Sequence, residues 1–256
     1  GLKLYEKSID AYQYAVAIDD KFDYAYRNMG DAYLRLRKYK EAVEVLEKVV
    51  ALTRPEDVIY EAIGHCYHKL GKIAQARFYY KKAVHLNPDD SKLYYKIAVT
   101  YMLEKQWQPA VKQLENAMRM HRAITEYNLA MGECKANLGQ FKEAVHYFGV
   151  VVKHKPKNVS GWEALIQCLL TAEYFDEALL QSKNAFVATD HKPVFLFYHS
   201  AILFIIGKSK DGLILLEQAM VAAPKLLKKF IDIRPSILQN AQVVDVIARF
   251  KRRRKI

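Results

Sequence analysis

The stretch Asp57–Asp90 reads DVIYEAIGHCYHKLGKIAQARFYYKKAVHLNPDD, and its spacing decides the fold. Counted from Asp57, residues Tyr60, Ile63, Gly64 and Tyr67 stand at positions 4, 7, 8 and 11. That is the i, i+3, i+4, i+7 spacing of one helix face. Ala76, Tyr80 and Ala83, at positions 20, 24 and 27, mark a second helix face. Gly71, at position 15, falls where the first helix should stop, since glycine takes positive φ without a Cβ clash. Outward steps of 34 residues repeat these addresses without an insertion, in blocks from Asp23, Asp57, Ser91, Thr125, Val159 and Pro193. Position 8 then reads Gly30, Gly64, Ala98, Gly132, Ile166 and Ser200. Position 20 reads Ala42, Ala76, Ala110, Ala144, Ala178 and Gly212. A fixed period of this size predicts a stack of antiparallel helix pairs, because one pair cannot bury its apolar face alone.

The remaining addresses fit the same scheme. Position 27 reads Val49, Ala83, Ala117, Val151, Ala185 and Ala219. Position 17 is aromatic in Tyr39, Trp107, Phe141 and Phe175, near the start of the second helix. Pro109 lies in the first turn of a helix, where its missing N–H costs little. Pro88, Pro156 and Pro224 close three blocks at position 32. This pattern resembles the tetratricopeptide repeat, whose Trp, Leu-Gly, Tyr, Ala, Phe, Ala and Pro positions fall at these offsets. The resemblance covers most of the chain and implies an all-α, right-handed superhelical solenoid.

Residues 1–22 fit the second half of an N-terminal repeat, with Ser8, Tyr12 and Ala15 at positions 20, 24 and 27. Residues 23–224 are read as six repeats, and 225–256 as capping helices with a basic tail. Pro235 would break a regular seventh repeat. Leu226, Leu227, Phe230, Ile237, Val243, Val244, Ile247 and Phe250 are expected to cover the last apolar face. The chain opens with Gly1 rather than Met and is expected to extend further N-terminally. Gly212 in a helix interior and Ser209 at position 17 mark the C-terminal repeats as the first to fray.

The chain of 256 residues is 52% hydrophobic and carries a formal charge of +12. Residues 225–256 hold ten Lys or Arg and two acids, so the repeat body is nearly balanced. The cluster Lys251-Arg252-Arg253-Arg254-Lys255 offers nucleic acid or an anionic surface a second mode of binding. The longest apolar stretch, Val194–Ile206, is shorter than the roughly 20 residues a membrane helix needs. Three cysteines, Cys66, Cys134 and Cys168, share position 10, which points to packing rather than disulfides. Free thiols lean towards a reducing, cytoplasmic setting.

The resemblance also implies a function. First helices of successive repeats line a concave groove, with positions 2, 5, 6, 9, 12 and 13 facing into it. The residues expected there are Arg27, Asn28, Asp31, Glu61, His65, Lys69, Lys92, Tyr95, Lys96, Glu133, Phe197 and Tyr198. Asn137, Ser160, Gln167 and Thr171 share those addresses. A peptide or helix of a partner protein is expected along this surface. Its acidic group would meet Arg27, Lys92 and Lys96, and its apolar side chains Phe197, Tyr198 and Phe204. The carboxylate clamp of the family's chaperone-binding members is not expected, because Asp31 and Ala62 stand where asparagines are needed. Exposed repeat ends leave self-association open.

No sequence feature calls for catalysis, a cofactor or a metal. Phosphate-binding glycine loops, nucleophile elbows and zinc-type cysteine spacings are absent. His65, Cys66 and His68 come nearest to a metal cluster, but adjacent helical residues point to different faces. The expectation is a non-catalytic interaction scaffold. The alternatives are binding through the basic C-terminus, or a regulatory arm of a larger protein.

Overall fold

The structure, a computed structural model, describes residues 2–54 and 56–253, and contains helices and turns without a strand among them. Helix α1 (Leu2–Ile18) precedes six pairs: α2 (Asp23–Arg35) with α3 (Tyr39–Leu52), α4 (Asp57–Lys69) with α5 (Ile73–Leu86), and α6 (Ser91–Leu103) with α7 (Trp107–Met120). They continue as α8 (Thr125–Asn137) with α9 (Phe141–His154), α10 (Val159–Thr171) with α11 (Phe175–Ala188), and α12 (Val194–Ile205) with α13 (Ser209–Ala222). Two 3₁₀ turns, Pro224–Leu226 and Pro235–Gln239, flank α14 (Leu227–Ile233), and α15 (Ala241–Arg253) follows. The chain groups into two compact units, Gly1–Tyr127 and Asn128–Ile256, and the division falls inside α8. From α1 to α7 in the first unit, and from α9 to α13 in the second, each helix packs on the next.

Positions 20, 24 and 27 are buried in all six pairs. Position 8 fits against position 24 by size. A Cβ added at Gly30 would lie 2.6 Å from Leu46, at Gly64 2.7 Å from Tyr80, and at Gly132 2.5 Å from Phe148. Small residues are therefore required where position 24 is large. The fifth pair inverts the arrangement: Ile166 and Ser182 are both fully buried, so a large residue at 8 accompanies a small one at 24. The sixth uses Ser200, whose hydroxyl donates to the Gly212 carbonyl at 2.7 Å. Gly212 also leaves room for the Phe204 ring, which a Cβ there would meet at 3.0 Å.

Every first helix of the six ends in the same hydrogen-bonded turn. The N–H of position 16 donates to the carbonyl of position 11, as in Lys38 to Tyr33, Lys72 to Tyr67 and Gln106 to Tyr101, each at 2.9 Å. This turn requires a left-handed residue at position 15. Gly71, Gly139 and Gly207 supply it at φ 74°, 75° and 80°. Arg37, Lys105 and Glu173 adopt it with side chains, at φ 58°, 57° and 60°. Arg37→Gly, Lys105→Gly and Glu173→Gly are each expected to raise stability by about 0.5–1 kcal/mol, the left-handed penalty less the extra chain entropy of glycine. Gly139→Ala should lower it by a similar amount through backbone strain, since a Cβ there meets no atom within 4 Å. Urea midpoints of the four variants check both signs.

The C-terminal cap is irregular, as Pro235 requires. Arg234 is extended before the proline, which ends α14 at Ile233. Phe230, Ile237, Val243 and Ile247 are buried, and Leu226, Leu227 and Phe250 pack partly against the same core. Val244 departs from expectation and is 46% exposed, while Val246 is buried in its stead. The buried face of α15 is thus 243, 246, 247 and 250, the spacing of one helix side. Of the basic tail, residues 254–256 and the side chains of 251 and 253 lie outside the described residues.

Candidate functional site

Several groove addresses of the first unit are engaged in internal contacts. Arg27 forks onto Glu56 at 2.5 and 2.9 Å and also reaches Asp23 at 3.5 Å. The hydrogen bond with Glu56 raises the Arg27 pKa, and Arg27 holds the Glu56 carboxyl below its usual range. Lys96 pairs with Glu61, and its ammonium stands 5.8 Å from the centre of the Tyr80 ring. An incoming carboxylate would have to displace Glu56 or Glu61. Among the three cations expected to receive an acid, Lys92 is the exposed one. Asn28 donates to the Tyr24 carbonyl at 2.7 Å, while Asp31 and Lys69 are exposed. Tyr95 lies against Tyr127, whose hydroxyl is 3.0 Å from Ser91 Oγ. His65 sits edge-on to Tyr39 and is half-buried, so desolvation, then Lys96, lowers its pKa.

In the second unit the same addresses form a pocket. Positions 5, 9 and 13 of α8 (Leu129, Glu133, Asn137) face positions 2, 6, 9 and 13 of α10 (Ser160, Ala164, Gln167, Thr171) across a cavity of about 500 Å³. Phe141 and Phe148 of α9 contribute to its lining. Leu129, Phe141, Phe148 and Ala164 give it an apolar lining that continues into the core. Its rim is polar. Asn137 donates to the Glu133 carbonyl and Thr171 to the Gln167 carbonyl, both at 2.9 Å. The Glu133 carboxylate stays accessible, yet the protein around it displaces enough water to raise its pKa. The pocket therefore offers an apolar lining, amide and hydroxyl groups, and one carboxylate.

Phe197 and Tyr198 do not belong to this surface. They are 0% and 7% exposed, whereas their repeat positions had placed them in the groove. Tyr198 packs in the core cluster that holds Trp162, Leu165 and Phe195, and Phe197 is buried by the cap. Phe230 of α14 is fully buried with its ring centre 6.3 Å from that of Phe197 and 6.2 Å from that of Phe204. Lys229, one residue earlier, pairs with Glu163 of α10. Sequence reading also missed Phe141 and Phe148 as pocket residues, because both sit at addresses that ordinarily pack a pair together.

The described residues contain no group of His, Cys, Asp and Glu suited to a metal ion. The three cysteines are buried, and burial pushes Cys66 up to about 11 and Cys134 to about 12. Thiols held in that range carry little thiolate at neutral pH and serve packing. No helix among the described residues is long and apolar enough to cross a membrane.

Helix pairs in a 34-residue register, joined by one recurring turn and packed small against large, define a tetratricopeptide-repeat fold. Residues 24–132 match the family model described as Psidin, N-terminal TPR repeats region. No curated protein sequence matches the chain. Among solved structures, the C-terminal part of a TPR repeat-containing protein from Cytophaga hutchinsonii is similar at TM-score 0.74 and 16% identity, over 95% of this chain and 94% of that one. YrrB, described as a TPR protein with an unusual peptide-binding site, gives TM-score 0.60 at 19% identity, over 71% of this chain and 94% of its own. The MamA protein gives 0.62 at 18%, over 66% and 92%. At these identities the likeness concerns the fold.

Proposed function

We propose that this chain is a non-catalytic interaction scaffold that receives a peptide or helix of a partner protein in the pocket between α8 and α10. The observation that carries this reading is the pocket's composition: an apolar lining over two phenylalanines, beneath a rim with a single carboxylate, Glu133. Such a site suits an apolar anchor that is desolvated on binding, which supplies affinity, and a neighbouring Lys or Arg that sets orientation. The peptide-binding site named for YrrB supports peptides as the ligand class. Charge thus favours a basic ligand here, in place of the acidic ligand expected at Arg27, Lys92 and Lys96, two of which are engaged internally.

The test is selection of displayed peptides on the full chain, followed by affinity measurement on Glu133→Lys. Enriched peptides should pair a bulky apolar residue with a nearby Lys or Arg and bind Glu133→Lys about tenfold more weakly, the scale of one lost charge-assisted contact. Peptides of acidic character that lose affinity on Lys92→Glu instead would return the site to the first unit and overturn this assignment.

A further inference from the structure

The fifth and sixth pairs differ from the others on the side formed by their second helices. Position 7 carries Met29, Ile63, Ile97, Met131 and Leu165 in the first five repeats, and His199 in the sixth. Position 24 is large in every repeat except the fifth, where it is Ser182. These two departures meet: Ser182 Oγ lies 2.8 Å from His199 Nδ1 and donates to the Leu179 carbonyl at 2.7 Å. With its proton given to Leu179, the hydroxyl accepts from Nδ1–H of a neutral ring. Burial, and then the charge of Lys183, hold His199 down to about 4, in keeping with that tautomer. Beside the pair opens a cavity of about 390 Å³ between α11, α12 and α13, walled by Phe186, Phe195, Leu196 and Leu215.

The surface around this cavity is equally distinctive. Positions 22 and 29 of α11 and α13 carry Leu180, Val187, Ile214 and Val221, exposed by 50, 67, 57 and 73%. In the first four repeats the same positions hold Glu44 and Ala51, Phe78 and His85, Lys112 and Arg119, and His146 and Lys153. Seven residues on one helix face span about 10 Å, so each helix exposes two aliphatic side chains two turns apart, with Lys183 and Asn184 between them on α11 and Glu217 and Gln218 on α13. Val187 lines the cavity itself, and together with Leu180, Ile214 and Val221 it spreads apolar surface over more than a small ligand covers, as an amphipathic helix laid in a groove would need. Lys183 lines the cavity, is exposed, and has no carboxylate partner among the described residues.

We propose that the second-helix face of the fifth and sixth repeats docks an acidic amphipathic helix of a partner protein. One bulky apolar side chain of that helix seats in the cavity beside Ser182 and His199, and a carboxylate one turn away meets Lys183. This surface is separate from the pocket between α8 and α10, and each stands or falls without the other.

The experiment is selection of a displayed library of amphipathic helices on the full chain, with binding then measured on three variants. Val187→Asp/Ile214→Asp alters only exposed side chains, and an unchanged thermal melt confirms that it is folded. Helices carrying a bulky apolar residue and an Asp or Glu one turn away should be enriched. They should lose about tenfold or more in affinity on Val187→Asp/Ile214→Asp and on Lys183→Glu, as for loss of a central anchor contact. Gln167→Trp, in the other pocket, should leave them unaffected. Binding that survives the first two variants overturns the proposal, and so does a library that yields no such helix. Sedimentation as a dimer that Val187→Asp/Ile214→Asp dissociates also overturns it, in favour of a second copy of this chain.

Discussion

Gly132→Ile is expected to destabilise the second unit by about 3 kcal/mol, and Phe148→Ser added to it is expected to recover a large part of that loss. The added side chain starts from a Cβ only 2.5 Å from Phe148 Cε1, inside any tolerable contact. Phe148→Ser alone should cost about 3–5 kcal/mol by leaving a cavity where a nearly buried ring had been. The double variant reproduces in the fourth pair what the fifth already has, Ile166 at position 8 and Ser182 at position 24, both fully buried. A double-mutant cycle by urea unfolding measures the coupling. Strictly additive losses would show that positions 8 and 24 do not complement each other.

Phe230→Ala carries the second large effect. Its ring is fully buried against Phe197 and Phe204, so truncation should cost about 3–5 kcal/mol. In a stack held by neighbour contacts the damage stays local. Amide exchange should therefore quicken in α12, α13 and the cap, while α2 to α7 keep their protection. Uniform acceleration along the whole chain would contradict that local character. Uncovering Phe197 and Phe204 should also increase binding of a hydrophobic dye, an effect absent in the folded parent.

Much of the fold was legible because its rules are local and repeat. The 34-residue period placed helix faces, and Gly71, Gly139 and Gly207 marked the turn that ends a first helix. The same turn at Arg37, Lys105 and Glu173 was not legible, because hydrogen bonds fix the backbone there in spite of residue preference. Ile166 and Ser182 each differ in size from the residues at their position in the other repeats, and together they are one exchange of large for small. Tertiary placement decided the rest. Phe197 and Tyr198 occupy groove addresses by count, but α14 folds over that face and buries Phe197 beneath Phe230. Arg27 and Lys96 stand at groove addresses by count, but Glu56 and Glu61, from other parts of the chain, pair with them. The pocket between α8 and α10 drew on Phe141 and Phe148, whose addresses the repeat pattern assigns to packing within a pair. Periodicity thus predicts which side chains share a face, while the partners of that face depend on the distant chain.

The most direct test of the interaction reading is amide exchange of the full chain with and without a peptide selected on it, repeated on Gln167→Trp, which crowds the rim of the pocket without touching the core. Binding in the pocket predicts slowed exchange in α8 and α10, and loss of that protection in Gln167→Trp. Protection that spares α8 and α10, or that persists unchanged in Gln167→Trp, would contradict it.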